Sequence, residues 1–178
     1  MPVKQINQGW RVHTDGWVIN PKGQFFRGHF KRNSNNSNGG KPKWYWMVRL
    51  GNRATATYVH HLIADSFVEN KYPDVCKHID HINGDSLDNR TSNLRFVTPE
   101  INLLNQKSNP TRRKNRFEAR ACGKYIGTFD TEHEARAATK KFKDNKEIRL
   151  WEAVKKAQFE FDTNKPDVIM EDVYAFVD

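Results

Sequence analysis

At 178 residues the chain has room for one ordinary domain or for two or three small ones. Apolar residues make up 37% and charged residues 29%, no apolar run approaches a membrane span, and the N-terminus lacks the apolar stretch of a signal peptide; a soluble, cytoplasmic protein with no membrane partner is expected. Lys and Arg number 30 against 21 acids, a net charge of +9, which favours a polyanionic partner.

The charge is uneven. Residues 1–149 hold 27 basic and 14 acidic side chains, whereas residues 150–178 hold 3 and 7. Only the body is a candidate phosphate surface, and the acidic tail would be repelled by nucleic acid. Cys76 and Cys122 lie far apart and form no CxxC pair. Neither a disulfide framework nor a structural zinc site is expected.

Residues 1–58 read as an aromatic, β-rich, DNA-contacting region. Its apolar groups are Trp10, Trp17-Val18-Ile19, Phe25-Phe26 and Trp44-Tyr45-Trp46-Met47-Val48, with turn signals at Asp15-Gly16 and Pro21-Lys22-Gly23. The polar stretch 33–40 predicts a mobile hairpin loop. Lys22, Arg27, Lys31, Arg32, Lys41, Lys43 and Arg49 decorate the region. A two-stranded basic ribbon of this kind can enter a major groove, and a small sheet with a solvated basic face is the plainer reading.

At Val59 the periodicity changes. Val59, Leu62, Ile63, Ser66 and Phe67 predict a short amphipathic helix ending near Val68, opened by the pair His60-His61. Then His78-Ile79-Asp80-His81 reads as a strand running into the Asn83-Gly84 turn. A polar loop follows, and Leu94-Arg95-Phe96-Val97 alternates as a return strand. Thr98 caps a helix that starts at Pro99. The order is strand, loop, strand, helix, within a domain over residues 59–109.

Ser108-Asn109-Pro110 opens a basic link with Arg112, Arg113, Lys114 and Arg116. Phe117-Glu118-Ala119-Arg120-Ala121 and Tyr125-Ile126-Gly127-Thr128-Phe129 alternate around a turn at residues 122–124. Thr131 with Glu134 makes a capping box, and Ala135, Ala138 and Phe142 give the helix a face for a small sheet. This module spans residues 110–149. A separate helix is predicted near Trp151 to Phe161 in the acidic tail, residues 150–178.

The chemistry resides between residues 78 and 105. Cutting a phosphodiester needs a base for water and neutralisation of charge on phosphorus and on the leaving oxygen. Asp80 and Asn102 offer hard oxygens of the sort magnesium accepts. His81 is the candidate base, and Asn93 would fix the intervening loop through hydrogen bonds. Because neighbours on a strand face opposite sides, Asp80 and His81 converge only if the strand ends or bulges there.

His81, Asn93 and Asn102, spaced by 12 and 9, resemble the three signature residues of HNH endonucleases. The flanking text Asp80-His81-Ile82-Asn83-Gly84-Asp85, Asp88-Asn89-Arg90, Asn93-Leu94-Arg95 and Val97-Thr98 is similar to that of the homing endonucleases of phages and group I introns. Val59-His60, Leu62-Ile63-Ala64 and Phe67 match the helix before the motif in that family. The resemblance implies a ββα-metal core, His81 as general base, Asp80 and Asn102 as ligands of Mg2+ with Mn2+ as substitute, and Asn93 as the structural asparagine. It also implies a phage-encoded enzyme acting in a bacterial host.

Residues 111–148 resemble the DNA-binding domain of plant ethylene-response factors, through Phe117-Glu118-Ala119-Arg120, residues 123–131 and Glu134-Ala135 with Ala137-Ala138. That family implies a three-stranded sheet backed by one helix. Its glycine-marked first strand is hard to find here, so an incomplete sheet is expected. The fold class is therefore α+β: an HNH core, an N-terminal β-ribbon, and a C-terminal small antiparallel sheet backed by one helix. Expected DNA contacts are Lys22, Arg27, Lys31, Arg32, Arg95, Arg112, Arg113, Lys114, Arg116, Arg120 and Lys124. Duplex DNA is the expected partner, with monomer and dimer both open. The alternatives are a non-catalytic DNA-binding protein that keeps an HNH scaffold, and an RNA-binding protein marked by exposed aromatics on one sheet face.

Overall fold

The computed structural model describes residues 2–7, 9–32, 43–51 and 55–163. The polar stretch read as a hairpin loop and the acidic residues from 164 onward lie outside the described residues. The fold is a mixture of small antiparallel sheets and helices, divided into two compact units: Met1–Asn70 with Ile79–Phe96, and Lys71–His78 with Val97–Asp178.

In the first unit the N-terminal region is more than a ribbon. Strands β1 (Val3–Asn7), β2 (Trp10–His13), β3 (Val18–Ile19) and β4 (Phe25–Phe26) form a four-stranded meander in chain order. Strands β5 (His29–Arg32), β6 (Trp44–Val48) and β7 (Thr57–Tyr58) form a second antiparallel sheet. Helix α1 (Val59–Phe67) begins where the period changes from two to about four. Its buried face, Val59, Ile63 and Ala64, packs with Val12, Val18, Val48 and Leu94 into one core. Strands β8 (His78–His81) and β9 (Leu94–Val97) pair as a two-stranded sheet. Leu94 and the partly buried Ile79 and Phe96 join that core, which anchors the pair to α1.

In the second unit, Thr98 accepts a hydrogen bond from the Ile101 amide and Pro99 opens helix α2 (Pro99–Leu104). The sheet of β10 (Thr111–Arg113), β11 (Arg116–Ala121) and β12 (Lys124–Phe129) has all three strands in chain order. The strand that the sequence left hidden is β10, joined to β11 by a two-residue turn in which Lys114 adopts φ +54°. Ala119 and Ala121 are buried on the side of helix α3 (Glu132–Asp162), which packs across β11 and β12. Arg113, Arg116, Glu118 and Arg120 stand on the opposite face.

Helix α3 corrects the expected break near residue 149. It is one helix of 31 residues, started by the capping box of Thr131 and Glu134. No Gly or Pro interrupts residues 132–162, so nothing stops propagation where the apolar spacing lapses. Its C-terminal half buries Leu150, Val154 and Ala157, and Gln158 Nε2 donates to Asp74 Oδ2 at 2.8 Å.

The turn between β2 and β3 braces the segment that follows β8. Thr91 donates to the Thr14 carbonyl from both its amide and its hydroxyl, each at 2.8 Å. Gly16 has φ +83°, and a Cβ there would sit 2.8 Å from the Asn89 carbonyl carbon. We predict that Gly16→Ala lowers stability by at least about 1 kcal/mol in urea denaturation, because both the conformation and the space are closed to a side chain. An unchanged midpoint would remove this turn as a support.

Candidate active site

Asp80 and His81 are the last two residues of β8, and both are buried. The strand ends there, and the chain turns at once. The Gly84 amide donates to the His81 carbonyl at 2.7 Å, with Gly84 at φ +72°.

The two side chains have separate partners. Asp80 Oδ2 accepts from Arg95 Nε and Nη2, both at 3.0 Å. His81 Nε2 lies 3.0 Å from Asn89 Oδ1. With Asn89 Oδ1 as the acceptor, this contact corresponds to the tautomer that carries the ring proton on Nε2. Burial pushes the His81 pKa below the ordinary 6.5, opposed by the Asn89 bond and the Asp80 and Asp85 carboxylates, while the Lys43 ammonium adds to the lowering. The ring is therefore neutral near pH 7.

Behind it stands His60, with ring centroids 5.1 Å apart. His60 is buried among Tyr45, Tyr58 and His61, and its Nδ1 has no hydrogen-bond partner among the described residues. Burial, reinforced by His81 and His61, pushes its pKa down to about 3. It is a neutral wall for the ring of His81.

The loop of residues 82–93 is knotted by side chains. Asn93, itself buried, accepts from the Asn83 amide at 3.0 Å. Its Nδ2 donates to Asn83 Oδ1 at 3.1 Å and to the Asp88 carbonyl at 2.7 Å. The Asp85 amide donates to Asn83 Oδ1 at 2.8 Å, and the Leu87 amide to Asp85 Oδ1 at 3.0 Å. Asp88 takes Arg90 Nε and Nη2 at 2.8 and 2.6 Å, which holds its carboxyl below the usual carboxylate range. Asn102 lies half-buried on α2 and belongs to the second unit, whereas Asp80, His81, Asn89 and Asn93 share the first.

Residues 57–104 match the HNH endonuclease family. Over 51 residues the chain is 47% identical to "Uncharacterized HNH endonuclease L247" of Acanthamoeba polyphaga mimivirus, covering 29% of this chain and 13% of that protein. This chain thus matches only a small share of its curated relative. A solved structure described as DNA binding and cleavage by the HNH homing endonuclease I-HmuI is 26% identical, covering 60% of this chain and 57% of that one. The likeness of the two folds is loose, with a TM-score of 0.41.

Of the expected DNA contacts, Lys22, Lys31 and Arg32 are exposed in the first unit, and Arg27 lies over the Trp17 ring at 4.6 Å. Arg95 is placed on Asp80 in the HNH segment, three-quarters buried. In the second unit Arg112, Lys114 and Lys124 are exposed. There Arg113 and Arg120 both pair with Glu118, and Arg116 pairs with Asp130 at 3.1 Å.

Sequence reasoning gave no role to Asn89 or Arg95 at the centre, nor to His60. Asn89 sits in the Asp88-Asn89-Arg90 text, but only folding shows which of the three meets His81. Two tests follow. Arg95→Ala strips a buried carboxylate of its cation and should cost about 3 kcal/mol in urea denaturation; a loss below about 1 kcal/mol would make the pair incidental. His60 resists protonation only when folded, so stability should fall as pH drops below 6.5 toward 3. Between pH 7 and pH 5 the wild type should lose about 2 kcal/mol more than His60→Phe. Equal losses in the two proteins would remove His60 as the cause.

Proposed function

We propose that this chain is a metal-dependent endonuclease of the HNH, homing type that hydrolyses a phosphodiester bond in duplex DNA. The observation that carries the reading is the buried pair Asp80 and His81 at the end of β8, with the His81 ring held at Nε2 by Asn89, inside a segment that matches the HNH family.

In this reading His81 takes a proton from the attacking water as the water oxygen bonds to phosphorus and the bond to the 3′ oxygen breaks. The imidazolium so formed is stabilised by its Nε2–H bond to Asn89 and by the Asp80 charge. Asn93 keeps the loop closed and touches no substrate. The donor chemistry fits a hard divalent cation: Asp80 offers a carboxylate oxygen of the sort magnesium prefers, and Asn102 is the amide that the HNH resemblance pairs with it. Such a cation, when bound, neutralises charge on the phosphate and on the leaving oxygen. Arg95 fixes the Asp80 carboxylate in place.

Two surfaces fit the duplex. Lys22, Lys31 and Arg32 line the N-terminal strands and turns. Arg113, Arg116 and Arg120 share the outer face of the C-terminal three-stranded sheet, the surface that the ethylene-response-factor resemblance of residues 111–148 would turn to DNA. One centre per chain suits one strand, so a monomer nicks and two copies make a double-strand break. The Arg95 pair on Asp80 favours a second reading, a DNA-binding protein with a silent HNH scaffold.

Nicking of supercoiled plasmid decides between them. With Mg2+ or Mn2+ the wild type should nick, and chelator should stop it. His81→Ala should slow nicking by about 10²–10⁴-fold with duplex binding retained. Undiminished cutting by His81→Ala would refute its role as base, and duplex binding without metal-dependent nicks would select the silent scaffold.

A further inference from the structure

The β5–β6 hairpin holds two large apolar side chains in water. Phe30 is 55% and Trp44 46% exposed, and their rings meet edge to face with centroids 5.9 Å apart. The register pairs Phe30 with Trp46 and Arg32 with Trp44, so these four share one face. At the inner end Trp46 packs on the core of the first unit, and its ring centroid is 4.0 Å from that of Phe30. The exposed pair is thus braced from behind.

Its surroundings are cationic. Arg32 shares this face, Lys31 stands on the other face beside Tyr45, Lys43 precedes Trp44, all three are exposed, and neither strand contains an acid. A partner that suits both features presents flat apolar faces inside an anionic frame. Nucleic acid does so, but duplex DNA shows the faces of its bases only where a step is unstacked.

The hairpin is also fastened to the candidate active site. Ser86, in the loop that follows His81, donates its hydroxyl to the Trp44 carbonyl at 2.6 Å. On the other face of β6, Tyr45 lies 5.5 Å, ring to ring, from His60, the wall behind His81.

We propose that Phe30 and Trp44 form a wedge that enters the duplex at an unstacked step next to the bond to be cut, while Lys31, Arg32 and Lys43 hold the flanking phosphates. This rests on the nuclease reading of the HNH segment and adds to it the deformation of the substrate. A wedge binds best where unstacking has already been done.

The test uses the full chain, chelator, and two short fluorescent duplexes identical except for a central mismatch. By anisotropy the wild type should bind the mismatched duplex about tenfold more tightly, the worth of one stacked base on an aromatic ring. Trp44→Ala should lose that preference, and Trp44→Tyr should keep it. Equal affinity of the wild type for the two duplexes overturns the wedge, and so does a preference that survives in Trp44→Ala; the pair then serves another surface. Plasmid nicking with Mg2+ or Mn2+ is followed in parallel. A wild type that nicks but shows no preference refutes the wedge alone. Preference without nicking supports the wedge and refutes the nuclease reading.

Discussion

The candidate centre depends on the closure of one loop by one buried amide. Strands β8 and β9 have four residues each, and a two-stranded sheet of that length is marginal by itself. Between them run residues 82–93, rich in polar side chains and short of apolar anchors. Backbone pairing cannot fix such a segment, so Asn93 does it with one acceptor bond and two donor bonds to Asn83 and Asp88. Each bond adds little net stability, about 1 kcal/mol. Together they set where Asn89 stands, and Asn89 holds the Nε2 side of the His81 ring. A buried network of this kind acts on geometry more than on the free energy of folding.

That geometry has a cost in buried polarity. Asp80, His81, Asn89, Asn93 and His60 are all buried, and Asn89 Nδ2 and His60 Nδ1 have no hydrogen-bond partner among the described residues. An orphaned polar atom costs about 1–3 kcal/mol, so a region chosen for stability alone would not collect two of them. Burial favours the neutral forms of His60 and His81, which avoids two like charges on rings that meet edge to face. The one full charge here, on Asp80, is answered by the guanidinium of Arg95.

Much of the fold around this centre could be read from the chain. The four-residue recurrence of Val59 and Ile63, the Asn83-Gly84 turn, and Thr98 followed by Pro99 are local signals, and local signals decide where elements begin. What escaped was set by distance or by silence. Arg95 meets Asp80 across 15 positions, and His60 meets His81 across the whole turn between helix and strand. Neither pairing leaves a mark in spacing. Strand β10, Thr-Arg-Arg, is exposed on every residue and so has no alternation to show. Helix α3 continued past residue 149 because only a Gly or a Pro would have stopped it, and a lapse in apolar spacing is a weaker signal than either.

The formal charge also means less than it counts. On the C-terminal sheet Arg113 and Arg120 already share Glu118, and Arg116 is paired with Asp130. Cations answered inside the protein release fewer counterions on meeting phosphate than their number implies. A fixed acid between two arginines does something else, because it holds their forks in orientation, and planar guanidinium groups in orientation suit base edges better than a diffuse field does. By contrast Lys31 and Arg32 stand on one strand and Lys43 immediately before another, and neither strand contains an acid. The two basic surfaces therefore differ in kind. The exposed cations of the N-terminal strands and the oriented guanidinium groups of the C-terminal sheet would answer an anionic partner differently, the first with the stronger dependence on salt.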